Sequence, residues 1–168
     1  MPEYEKHMQI ALEEARQALA EDEFPVGCAV LLDDRVLVTG RRVNSHGAAP
    51  SELDHAEIVA LRRLETIDRA LDRRRMALYA TLEPCLMCFG AILISGIGTL
   101  VYAYEDAMGG GTACDCVRLP SLYRDRPLQI VPGVCRRESL TLFQDYYRRP
   151  HIAYWRDSLL ERYTLAQP

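Results

Sequence analysis

The reading of one stretch decides the fold: MALYATLEPCLMCFGAILISGIGTLVYAY, Met76 to Tyr104. MALYATL (Met76 to Leu82) is a short apolar run of strand type, long enough to cross a sheet and too short for a core helix. Pro84 suits the first turn of a helix, where its missing N–H costs nothing, and CLMCFGAILI continues that helix. SGIGT (Ser95 to Thr99) turns the chain, and TLVYAY supplies a second strand. From Cys85 to Tyr104 twenty consecutive residues carry no charge, which is the length of a membrane span. SGIGT divides that run, so the expected elements are a buried helix, a turn and a buried strand.

Working outward, Met8, Ala11, Leu12, Ala15, Ala18 and Leu19 recur at helical spacing and predict an amphipathic first helix. VGCAVLL (Val26 to Leu32), the turn Asp33–Asp34 and RVLVTG read as a β-hairpin. RRVNSHGAAPSELD is a polar loop, and HAEIVALRRLETI, from His55 to Ile67, a helix. EDAMGGGTACDC is a Gly-rich surface loop. LQIVPGV then reads as a short strand, and RRESLTLFQDYYRR as a helix ended by Pro150. A helix, a hairpin and then strands alternating with helices indicate a three-layer α/β domain. Residues 1–150 are expected to form that domain. The tail 151–168, with Ile152, Tyr154, Trp155, Leu159, Leu160 and Tyr163, is expected to dock as a helix on it or on a partner chain.

The 168 residues suit one domain with a sizeable core. A net charge of −4 and a pI near 5.6 exclude a global basic field for nucleic acid or anionic membrane. Lys6 is the sole lysine among twenty basic residues, a bias of composition more than of chemistry. The N-terminal segment has no apolar signal core, and six cysteines are too sparse for a secreted disulfide scaffold. A cytoplasmic protein with reduced thiols and no membrane association is expected.

Cys85 and Cys88 alone read equally as metal ligands, redox pair or buried apolar residues. Thirty residues earlier stands HAE: His55, Ala56 and Glu57. Both segments lie where a strand feeds a helix start, and in α/β domains such starts share one edge of the sheet. The i, i+3 spacing aims both sulfurs to one side of the helix's first turn, where the helix dipole favours thiolate. One imidazole and two thiolates make three ligands. A structural zinc takes four protein ligands, whereas a catalytic zinc keeps one position for water. Cys114 and Cys116 are the rivals for a fourth ligand, although they, like Cys28 and Cys135, read more simply as free thiols. Two thiolates neutralise the metal's charge, so a carboxylate able to accept the water's proton is needed, and Glu57 is placed for it. A capping histidine and a helix-terminal glutamate are respectable readings singly; their conjunction with PCLMC favours chemistry. A thiol oxidoreductase would leave HAE unexplained, and a non-catalytic zinc-binding module would have no use for Glu57.

HAE followed by PCLMC resembles the H-x-E…P-C-x-x-C signature of the zinc-dependent cytidine and deoxycytidylate deaminase superfamily. The likeness runs from Phe24 to Asp106, and LYATLEPCLMCFGAILISGI is similar to the branch of tRNA adenosine and guanine deaminases. The resemblance implies a five-stranded mixed sheet between helices, usually assembled as a dimer. It implies one zinc per chain held by His55, Cys85 and Cys88, with water as the fourth ligand and Glu57 as proton shuttle. It makes Asn44, the sole asparagine, the residue that orients the base, with Val26, Ala56, Leu82, Glu83 and Asp106 in the substrate pocket. The implied reaction is hydrolytic loss of an exocyclic amine from a nucleobase.

Which base is the finer question. YEDAMGG resembles the tRNA-editing branch, and Arg73–Arg75, Arg136–Arg137 and Arg148–Arg149 are clusters that RNA could use. The acidic pI and YRDRPLQI, where that branch carries an Asn-His pair, point the other way. Adenosine in a tRNA anticodon loop is the first expectation. A free base or nucleoside such as guanine or cytosine is the alternative, with the aromatic tail closing over the pocket and Asp115 as a second acid.

Overall fold

The computed structural model describes residues 2–67 and 70–168. Helix α1 (Pro2–Ala20) precedes a hairpin of β1 (Gly27–Leu32) and β2 (Arg35–Arg41), followed by α2 (Ala56–Leu64), β3 (Met76–Leu82), α3 (Leu86–Ser95) and β4 (Thr99–Tyr104). A short α4 (Ser121–Arg124), β5 (Gln129–Val131), α5 (Arg136–Tyr147) and α6 (Leu159–Ala166) complete the chain. The strands form one mixed sheet in the order β2-β1-β3-β4-β5. β1 runs antiparallel to both β2 and β3, and β3, β4 and β5 are parallel.

Alternation along the central strands sends successive side chains to opposite faces. Ala29 and Leu31 of β1, Tyr79 of β3 and Val101 and Ala103 of β4 pack with Met8, Ala11 and Leu12 of α1. Cys28, Val30, Leu78, Ala80 and Leu100 meet Ala60, Leu61 and Leu64 of α2 and Phe89, Ile92 and Leu93 of α3. Burial on both faces explains why β1, β3 and β4 read as unbroken apolar runs. It gives the three-layer α/β/α sandwich.

The uncharged run ends its helix at Gly96, whose φ of 80° closes α3 in the left-handed conformation that glycine tolerates. No helix among the described residues is long and apolar enough to cross a membrane. Two boundaries differ from the sequence reading. Helix α2 stops at Leu64, and the Thr66 hydroxyl donates to the Arg63 carbonyl at the frayed end. Pro84 does not start α3. Cys85 is the N-cap, held extended by a bridge to Gly110, while Gly111 N–H donates to the Pro84 carbonyl. The Gly-rich loop therefore holds Pro84 and Cys85 out of the helix, which begins at Leu86.

Residues 151–168 fold back on the same chain. Ile152 and Leu160 are buried, Tyr104 and Thr164 hydroxyls pair at 3.1 Å, and Tyr163 donates to Glu105 at 2.7 Å.

Candidate metal centre and catalytic pocket

Because β2 and β3 both oppose β1, they run the same way, and their ends deliver α2 and α3 to one edge of the sheet. α2 can lie close on β2 because position 40 is glycine: a Cβ there would sit 2.4 Å from the Ala56 carbonyl oxygen. His55 is the N-cap of α2 and Cys85 that of α3, yet neither side chain caps its helix. Both turn toward each other instead. His55 Nδ1 lies 3.6 Å from Cys85 Sγ and 3.5 Å from Cys88 Sγ, and the three ligand atoms fall within 4.8 Å of one another. Tetrahedral zinc with ordinary Zn–N and Zn–S bonds needs nitrogen and sulfur about 3.6 Å apart. The donor set therefore fits zinc in number, type and spacing.

The electrostatics agree. The Cys85 thiol is pulled down to about 4, chiefly by hydrogen bonding from Cys88 and then by His55, while Cys88 is pushed up by sharing that proton. His55 is raised by its bond to Cys85. The cluster holds negative charge on sulfur, which a cation would satisfy. Glu57, 3% exposed, has its carboxyl raised by burial, and the Cys88 thiol donates to its Oε2 at 3.6 Å.

Above these groups lies a cavity lined by Phe24, Val26, Arg42, His55, Ala56, Glu57, Leu82, Glu83, Cys85, Asp106 and Tyr154. It is narrow, with about 40 Å³ open to the centre of a water-sized sphere. Val26, Ala56, Leu82, Glu83 and Asp106 are thus brought together at one cavity, though two of them have a second occupation. Glu83 accepts from the N–H groups of Asp106 and Thr112, both at 3.2 Å, and a Cβ at Gly110 would lie 2.4 Å from its Oε2. Asp106 accepts from Met108 and Gly109 N–H, each at 2.9 Å, and burial raises its carboxyl. These carboxylates shape the Gly-rich loop against the pocket.

Asn44 is not brought there. It is exposed, sits in the left-handed region at φ 58°, and gives its side-chain N–H to Asp54 at 2.9 Å. Asp115 accepts from Val117 N–H and pairs with Arg118 on the surface, outside the cavity. Cys114 and Cys116 are free and stand apart from the three-ligand cluster.

Arg42, Phe24 and Tyr154 line the cavity without having been singled out. Arg42 had a signal: it follows Val38 and Gly40 at strand period, which puts it on the face that α2 covers. Tyr154 had only the aromatic character of the tail as a signal, because residues 150 to 158 carry no periodic pattern that fixes their direction.

Residues 1–104 match the family model of the cytidine and deoxycytidylate deaminase zinc-binding region. The chain is 37% identical over 144 residues to the tRNA-specific adenosine deaminase of Haemophilus influenzae, covering 83% of each. A solved structure from work on A-to-I editing by deaminases of the transfer RNA wobble position is 31% identical. It superposes with a TM-score of 0.62 over 80% of this chain and 96% of that one. Guanine deaminase from Nitrosomonas europaea, 26% identical, gives a TM-score of 0.64 over 84% of this chain and 83% of its own. With a zinc-type donor set beside a buried carboxylate and these likenesses together, the chain belongs to the cytidine and deoxycytidylate deaminase family of zinc-dependent hydrolytic deaminases.

Proposed function

We propose that this protein hydrolyses the exocyclic amine of a nucleobase, with His55, Cys85 and Cys88 holding zinc and Glu57 moving the protons. The observation that carries the reading is the convergence of three ligand atoms within 4.8 Å beside the buried Glu57 at a cavity wall. Zinc, when bound there with a water as fourth ligand, supplies the Lewis acid that makes that water nucleophilic. Glu57 takes one proton from the water and delivers it to the ring nitrogen next to the amine-bearing carbon. It then passes the second proton to the amine, which leaves as ammonia while a carbonyl replaces it. Val26 and Leu82 present apolar surface to the ring.

Adenosine in tRNA is the substrate that the sequence relatives favour, through the Haemophilus influenzae enzyme and the wobble-position deaminase. A free base is the second reading, favoured by two observations. Tyr154 of the tail stands over the cavity, and several arginines of the basic clusters are already engaged by carboxylates. Arg73 meets Glu65, Arg75 meets Asp33, Arg136 meets Glu105 and Arg149 meets Asp22. Residues 1–150 are proposed as the deaminase domain and 151–168 as its closing tail. Leu86, Ile94, Val117 and Leu122 are exposed around α3, which supports a homodimer, testable by light scattering.

Ammonia release from an anticodon stem-loop RNA, adenosine, guanine and cytosine, measured side by side, tests the reading. Turnover of the RNA that falls steeply with salt supports the tRNA substrate; salt-indifferent turnover of a free base supports the second. No ammonia from any of them in zinc-loaded protein overturns the deaminase proposal.

A further inference from the structure

Glu23 is a buried carboxylic acid, 8% exposed, that takes no part in the chemistry described so far. It lies in the link between α1 and β1, just before Phe24 and Val26 of the cavity wall. Its Oε1 accepts from the Asn44 N–H at 2.9 Å and its Oε2 from the Ser45 N–H at 2.6 Å, and the Ser45 hydroxyl also donates to Oε2. The hydroxyl oxygen of Ser45 accepts in turn from the Phe24 N–H at 2.9 Å. No lysine or arginine pairs with Glu23 among the described residues; its ion-pair neighbour is His46, half exposed and 3.5 Å away. The carboxylate therefore serves to join two segments and not to make a surface salt bridge.

Both segments border the catalytic cavity. The one that Glu23 grips starts at Arg42, which lines the cavity and gives its N–H to the Val26 carbonyl at 2.9 Å, and runs on to the ligand His55. Asn44 in this segment has φ 58°. A residue other than glycine stays in the left-handed region only where its surroundings fix it. Ser45 is 2% exposed, and a buried N–H left without an acceptor is costly. Without the carboxylate, loop conformations that turn the Ser45 N–H to water would compete with this one. Glu57 would not follow, because it lies inside α2, which packs on β2 through Gly40.

We propose that Glu23 is a positioning residue for substrate binding, holding the Arg42–Ser45 segment against the Phe24–Val26 wall in the conformation that receives the base. This rests on the deaminase reading and gives Glu23 no role in proton transfer. When the binding-competent conformation is held by only a fraction of the molecules, the apparent dissociation constant rises by the inverse of that fraction. The complex, once formed, is unaltered, so KM rises while kcat is spared.

The test uses whichever of anticodon stem-loop RNA, adenosine, guanine and cytosine the zinc-loaded wild type deaminates. Glu23→Gln should raise KM about 10- to 100-fold, with kcat within about threefold of wild type and zinc retained. Glu23→Asp should recover part of the loss. Hydrogen exchange gives a readout apart from turnover: residues 42–47 should exchange faster in Glu23→Gln while α2 keeps its protection. Ser139→Ala is the control for a loss of stability alone. Its hydroxyl donates to the Thr81 carbonyl at 2.6 Å in the core, so melting should fall with KM unchanged. Should Glu23→Gln fail to fold, Ser45→Ala should show the same split in smaller measure. An unchanged KM in folded, zinc-loaded Glu23→Gln would overturn the inference. So would a fall in kcat as large as that in kcat/KM, unchanged exchange at residues 42–47, or an equal rise of KM in Ser139→Ala. Wild type that releases no ammonia from any of the four substrates is the failure of the deaminase reading, seen before any variant is made.

Discussion

Helices α2, α3 and α6 each start from an extended residue, and they treat their first N–H groups in two ways. Ser158 begins α6 with ψ 167° and its hydroxyl accepts from Glu161 N–H at 3.1 Å. His55 begins α2 with ψ 150° and Cys85 begins α3 with ψ 169°, the same backbone geometry, but neither side chain accepts anything from its helix. A serine at the cap stabilises the helix it starts. The histidine and the cysteine forgo that stabilisation and point their ligand atoms at each other. The difference separates a helix end selected for the fold from two selected for a site.

Breaking the site end of that comparison should have the largest consequence. Cys85→Ala removes one of three ligands, and the expected result is loss of zinc by elemental analysis together with loss of activity to background. Glu57→Ala should keep one zinc per chain and lose about 100- to 10,000-fold in kcat, the range of general acid–base catalysis; a near-normal rate would remove Glu57 from the mechanism. His55→Ser sharpens the contrast, because serine is a good cap. Zinc binding should be lost, while the metal-free protein should be as stable as metal-free wild type or up to about 1 kcal/mol more so, read by urea unfolding. Ser158→Ala is the converse: about 1 kcal/mol of stability lost with zinc content unchanged.

The smallest effect concerns the anchoring of α6. Glu105 accepts from Arg136 Nε at 2.7 Å and from the Tyr163 hydroxyl at 2.7 Å, joining α5 and α6 to the end of β4. Its carboxyl is lowered to about 2 from an ordinary 4.5, first by the Arg136 bond. A carboxylate with a depressed pKa in the folded state stabilises fully above the unfolded value and loses that contribution as pH falls toward the folded one. Glu105→Gln should therefore melt below wild type by a constant margin from pH 5 to 8. The margin should narrow below about pH 4.5, the group's ordinary value. A margin that widened on acidification would contradict the clamp.

Much of this was legible in the chain. The run from Met76 to Tyr104 gave strand, helix and strand because burial on both faces leaves few polar residues to blur the pattern. The ligand triad was legible because residue type and spacing carry its chemistry. The start of α3 lies two residues past Pro84, at Leu86, since the bridge from Cys85 to Gly110 depends on a loop 25 residues away. The resemblance makes Asn44 the base-orienting residue; in the structure it donates to Asp54, and Arg42 lines the cavity. Residue type does not carry that placement, because it follows from where β2 ends against α2.

By itself the sequence determined the His55, Cys85 and Cys88 set, the carboxylate of Glu57 beside it and the alternation that builds three layers, all properties of residue identity and short-range period. Only the tertiary structure decided that Arg42 is buried at the cavity wall, that Tyr154 is the tail residue lining the pocket, and that Glu83 holds the Gly-rich loop. Those depend on contacts between segments far apart in the chain, fixed by packing and hydrogen-bond satisfaction rather than by any local preference.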